Sequence, residues 1–166
     1  MKTLQTFLLT FSLLVTIPSF ASADETARIA ELDAYWSEVS RSIREGDFEG
    51  YKATCHPKGV LVSGKSQSSY PLTKALAGWK QGIMDTKAGK ITASVTFRFG
   101  QRFGDETTAH ETGMFLYSSI DAGGKASQSY IHFEALLVKE EHWRIMMEYQ
   151  KSTGTIEDWD KLKSSE

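Results

Sequence analysis

The stretch Ile91-Thr92-Ala93-Ser94-Val95-Thr96-Phe97-Arg98-Phe99 decides the fold. Apolar residues at 91, 93, 95, 97 and 99 alternate with polar ones at 92, 94, 96 and 98. A period of two is the pattern of a strand with one buried face. Upstream the period is different. From Ala27 to Glu45 the apolar residues Ile29, Leu32, Trp36, Val39 and Ile43 form one helical stripe. Leu72, Leu76, Trp79 and Ile83 form another, over about Leu72 to Thr86. Helices first and long antiparallel strands after Lys90 make an α+β domain.

Outward from that boundary the remaining elements follow. Gly46 stops the first helix, and Asp47 caps a short second one with Phe48 and Tyr51 inward. His56-Pro57 is expected to end it. Val60 to Val62 reads as a short strand, and Ser63 to Ser69 as a polar turn. Gly89 breaks the third helix. Three further strands are expected, at about Thr107 to Ser119, Ala126 to Val138 and His142 to Lys151, with a turn at Asp121-Ala122-Gly123-Gly124. A last helical turn carries Ile156 and Trp159. In the middle hairpin, Met114, Leu116, Ile131, Phe133 and Leu137 are assigned to one face, and Phe115, Tyr117, Leu136 and Val138 to the other. One face must cover the helices. The other is expected to be covered by a second copy, giving a homodimer packed sheet to sheet.

The first residues read as a secretory leader, residues 1–23. Lys2 supplies a positive start, Phe7 to Ile17 an apolar run, Pro18 a helix stop and Ala21-Ser22-Ala23 a small-x-small cleavage site. The run is too short to span a bilayer comfortably, so no membrane anchor is expected after cleavage. Residues 24–166 then form one domain, and the expected location is periplasmic or secreted. Lys2 is the leader's one charged residue, so the domain keeps 18 of the 19 Lys and Arg against all 21 Asp and Glu. That balance offers no footprint for nucleic acid. Cys55 is the lone cysteine. It rules out an intrachain disulfide and is expected to be buried.

The order of helix, short helix, strand, helix and long strands resembles the nuclear-transport-factor-2-like (NTF2-like) superfamily. Gly46-Asp47-Phe48 is similar to the Gly-Asp break that opens its second helix. Ala109-His110-Glu111-Thr112-Gly113 resembles its A-x-x-x-G strand. His142-Trp143-Arg144-Ile145 through Gln150-Lys151-Ser152 resembles the closing strand of its DUF4440 and SnoaL-like branches. The resemblance implies a cone, in which a curved sheet wraps the helices and leaves a pocket for a small, mostly apolar molecule. Its members include isomerases, dehydratases, cyclases and plain binding or assembly modules, so the fold leaves the function open. In the ketosteroid isomerase branch the base position falls at Ser63, the tyrosine position at Val39 and the third position near His132. Two of the three roles are missing, which argues against that reaction.

Other polar residues are candidates. His132 and Glu134 are two apart and leave one strand face together. A two- or four-residue hairpin loop pairs Glu111 with Glu134, giving two carboxylates and a histidine for proton transfer. A three-residue loop instead brings His110 beside His132 and Glu134, a two-His, one-carboxylate set. The first arrangement makes Glu134 or Glu111 the base with His132 as partner. No metal motif and no phosphate-binding Gly-rich loop is present, so no cofactor is expected. Trp36, Tyr51, His132 and Glu134 are the expected ligand-lining residues. Glu148 and Tyr149 are further pocket candidates whose face the sequence leaves open. Three functions remain in view: a binding module for a small apolar molecule, a proton-transfer enzyme, and a dimeric interaction module.

Overall fold

The computed structural model of the chain describes residues 23–164. The expected leader, residues 1–23, lies outside the described residues except for Ala23, the first residue of α1. Helix α1 spans Ala23–Glu45, α2 Phe48–Ala53 and α3 Leu72–Lys87. Strands β1 (Cys55–Ser63) and β2 (Ser68–Pro71) form a hairpin before α3. Then come β3 (Thr92–Gly104), β4 (Thr108–Ile120), β5 (Ala126–Lys139) and β6 (Trp143–Thr153), the short helix α4 (Ile156–Asp160) and β7 (Lys163–Ser164). The sheet order is β2-β1-β6-β5-β4-β3-β7, with β1 parallel to β6 and all other pairs antiparallel.

The alternation in β3 is realised. Ala93, Val95, Phe97 and Phe99 are buried, and they face the stripe of Leu32, Trp36 and Val39 on α1. Trp36 sits among three phenylalanines, with ring centroids 4.4 Å from Phe97 and 5.6 Å from both Phe99 and Phe133. Asp47 caps α2 by accepting from the Gly50 amide at 3.0 Å. Gly46 before it has φ +67°, and a Cβ there would lie 2.3 Å from the Lys87 backbone nitrogen. The chain needs glycine there both for the left-handed turn and for the close approach of α3. Gly113 has the same steric role across the sheet, where a Cβ would lie 2.1 Å from the Arg98 carbonyl oxygen.

Two local expectations are corrected. His56-Pro57 does not end α2, which stops at Ala53. Both residues belong to β1, whose pairing with β6 shifts register between Cys55 and Val60 and so accommodates a proline. The segment 63–69 is not all turn, since Ser68 and Ser69 pair back onto Ser63 and Val62.

The face assignment in the β4–β5 hairpin is also corrected. Ile120 pairs with Ala126, so the loop has five residues and even numbers pair with even. Phe115, Tyr117, Ile131, Phe133 and Leu137 therefore share the concave face, while Met114, Leu116, Leu136 and Val138 share the convex one. The convex face is partly covered by the chain itself. Trp159 of α4 is buried against Tyr130 and Arg98, and Met114 is fully buried beneath that segment.

At the middle of α1 a charged cluster locks helix to sheet. Glu111 is fully buried. The Trp36 indole N–H donates to it at 2.5 Å, and the Arg102 guanidinium pairs with its other oxygen. Arg102 also reaches Asp33 at 2.5 Å and lies 4.3 Å over the Phe99 ring. Removing one member of a buried ion pair strands the other, at a cost of about 3–5 kcal/mol. Glu111→Ala is therefore expected to lower unfolding stability by roughly that amount, measured by chemical denaturation, whereas a change at exposed Glu106 is expected to have little effect.

Candidate functional site

The long strands β3 to β6 bend over α1, α2 and α3 and enclose a cavity of about 480 Å³. Eight of its lining residues carry rings, among them Trp36, Tyr51, Trp79, Phe97 and Phe133. The α1 stripe presents Trp36 and Val39, α2 presents Tyr51, and the odd-numbered residues of β3 to β5 supply the curved wall. Gly78, Gly82 and Ser129 are exposed lining residues and mark where the cavity meets solvent.

Glu148 of β6 is the one carboxylate in this lining. A shift of register between Leu136 and Leu137 realigns β6, so that Glu148 pairs with buried Ala135 and shares its inward face, while Tyr149 pairs with Glu134 on the convex face. Oε1 of Glu148 accepts from the Gln150 side-chain amide at 2.6 Å. No Lys, Arg or His lines the cavity. Burial raises the carboxyl pKa above its ordinary range, and the Gln150 hydrogen bond only partly opposes this. Burial also pushes the Tyr35 and Tyr51 hydroxyls well above the usual range, and the Cys55 thiol up to about 12. The Tyr35 hydroxyl donates to the Thr54 carbonyl at 3.2 Å. Cys55 is buried in the wall as expected, and its high pKa makes it a poor nucleophile at neutral pH.

The expected site residues separate. Trp36 and Tyr51 line the cavity. His132 and Glu134 do not, because the odd-numbered hairpin loop sends even positions to the convex face. There Glu134 meets Lys151 at 2.6 Å and His110 at 3.5 Å, and His132 meets Asp158 at 3.7 Å. The Lys151 hydrogen bond comes first among the causes that hold the Glu134 carboxyl below its usual range. Glu111 faces inward, but its two oxygens are taken by Trp36 and Arg102 and it lies outside the cavity lining. None of the three has the placement of a base acting on a molecule in the cone. His110 and His132 pair with Leu136 and Met114 respectively, too far apart along the hairpin to share one ion. Among the described residues no group of three or more His, Cys, Asp or Glu is arranged to hold a metal. Glu148 was legible only as a candidate of undetermined face, because a strand that changes register cannot be assigned a face by counting.

Helix α3 contributes bare backbone. Ala75, Trp79, Gly82 and Thr86 follow the four-three-four spacing of one helical face. A Cβ at Gly82 or Gly78 would meet nothing within 4 Å. Glycine inside a helix costs about 0.5–1 kcal/mol relative to alanine, so these two positions keep the cavity wide at the expense of helix stability.

A small α+β cone with a ring-lined cavity is thus the class that fold and site define. No protein-family model matches the sequence, and no curated protein matches it. Solved structures do. A conserved protein from Planctomyces limnophilus superposes with a TM-score of 0.64 at 10% identity, over 75% of this chain and 94% of that one. An NTF2-like superfamily protein from Salmonella enterica gives 0.57 at 11%, over 78% and 94%. A ketosteroid isomerase-like protein from Erwinia carotovora gives 0.55 at 13%, over 74% and 93%. The chain has the NTF2-like fold.

Gly82→Ala is expected to raise unfolding stability by about 0.5–1 kcal/mol. Gly46→Ala is expected to lower it by more than that, because of its positive φ and the Lys87 contact. Denaturant titration of the two variants side by side checks both signs.

Proposed function

We propose that this protein is an exported binding module that holds one small, largely apolar molecule in the cone. The observation that carries the reading is the cavity: about 480 Å³, walled by rings, with a few polar groups such as Tyr51, Thr54, Glu148 and Gln150. Pockets of this size and lining are typical of small-molecule sites. Export rests on the leader reading of residues 1–23, with Lys2, the apolar run and Ala21-Ser22-Ala23. The closing-strand motif around Trp143-Arg144-Ile145 favours the SnoaL-like branch within the fold.

The proton-transfer reading is kept on one observation. Glu148 is a carboxylate with an apolar surround that faces the cavity, and burial raises its pKa toward the range useful to a general acid or base. In that reading Glu148 replaces Glu134 and Glu111 as the base.

A second copy packed on the convex face is also proposed. Leu116, Leu136 and Met147 lie there with only part of their surface covered. Sedimentation of the purified domain is expected to give a dimer, and Leu136→Lys a monomer. A monomeric parent chain would refute this arrangement.

For the cavity, the uncharged fluorophore N-phenyl-1-naphthylamine is expected to bind one per chain with a rise in emission. Gly82→Leu fills the wall and is expected to weaken it at least tenfold, about 1.4 kcal/mol, with the melting temperature held or raised. No binding by the parent chain would end the reading.

A further inference from the structure

Among the described residues, two carboxylates on the inward face of the sheet have opposite surroundings: Glu111 is fully buried, and Glu148 is half-buried in the cavity wall. Glu111 has a guanidinium and an indole N–H on its oxygens. Glu148 has one amide from Gln150, and no cation lines its cavity. A carboxylate removed from water is normally paired with a positive group. Glu148 lines the cavity, and a positive group held there can reach it. The cavity's rings suit the same guest, since the faces of Trp, Tyr and Phe attract a cation and their bodies take apolar carbon. Trp36, Tyr51, Phe97 and Phe133 all line it. An anionic guest would find no Lys, Arg or His to meet it.

We propose that the cavity is a site for an organic amine, whose ammonium pairs with the Glu148 carboxylate while its apolar body lies among the rings and against the bare α3 wall at Gly78 and Gly82. This rests on the small-molecule reading above and names the ligand class for that site. The titratable groups that face Glu148 are Tyr35 of α1, Tyr51 of α2 and Cys55 of β1, and Tyr117 of β4 lines the same cavity. Neither a tyrosine hydroxyl nor a cysteine thiol carries positive charge in any protonation state, so none competes as a cation. The empty site holds Glu148 protonated above the ordinary carboxylate range, because burial penalises its charge. Pairing with an ammonium requires the carboxylate. Affinity for the amine therefore rises with pH until the free protein has itself lost the Glu148 proton.

The test uses three ligands of one shape: 1-naphthylmethylamine, 1-naphthalenemethanol and 1-naphthoate, titrated calorimetrically near neutral pH into the purified domain and into Glu148→Gln. The expected result is an amine at least tenfold tighter than the alcohol, a naphthoate weaker than both, and loss of the amine preference in Glu148→Gln. Titrations of the parent chain over a series of pH values are expected to show amine affinity rising with pH through the raised Glu148 pKa and no such rise for the alcohol; this readout needs no variant. An alcohol that binds as tightly as the amine, a naphthoate that binds best, or an amine preference unchanged in Glu148→Gln would overturn the amine assignment while leaving a small-molecule cavity standing. Failure of all three to bind the parent chain would overturn both.

Discussion

The hydrogen bond from the Trp36 indole to Glu111, backed by Arg102 and Asp33, is the constraint on which the rest of the structure depends. A helix laid in a curved sheet buries apolar surface in many nearly equivalent positions, because hydrophobic attraction has no direction. A buried carboxylate tolerates no such freedom. Its partners must meet it at hydrogen-bond distance or its desolvation goes uncompensated. The cluster therefore sets where α1 lies along β3 and β4. With α1 held there, the Trp36 ring stands against Phe97, Phe99 and Phe133 and becomes one wall of the cavity.

The cavity takes shape through what is missing around it. Protein interiors close up to crystal-like density unless the backbone prevents it. Here the strands bend over the helices, and α3 offers two glycines where a side chain would meet nothing. Glu148 projects into this space with one amide partner. Each is a weak point by itself: a helix diluted with glycine, and a half-buried acid with no cation among the cavity-lining residues. Their coincidence in one cavity is the physical reason to look for a guest. The convex side of the sheet is different. Glu134, Lys151, His110, His132 and Asp158 pair among themselves at partly exposed sites, where ion pairs are worth little and nothing gathers toward one point.

Most of the architecture could be read from the residues because it rests on periods. The stripe Leu32, Trp36, Val39 and the alternation Ala93, Val95, Phe97, Phe99 each report their own buried face. Site residues had no such signal. His132 and Glu134 were expected together and are together, but on the wrong side of the sheet. Glu111 was expected to be chemically free and is committed to Arg102. In both cases the residue types were suggestive, and the geometry that would give them a role came from a neighbouring strand.

The sequence by itself determined the α+β order, the helix stop and cap at Gly46 and Asp47, and which residues of each strand travel together. These follow from backbone preference and local side-chain period, which act within a few residues. Only the tertiary structure decided which set faces the helices. A five-residue loop after Ile120 set the parity of β4 against β5, and a register shift in β6 turned Glu148 inward. A slip of one residue exchanges every side chain between faces without changing any local preference. The choice therefore lies with packing across the whole sheet, which no single segment of the chain encodes.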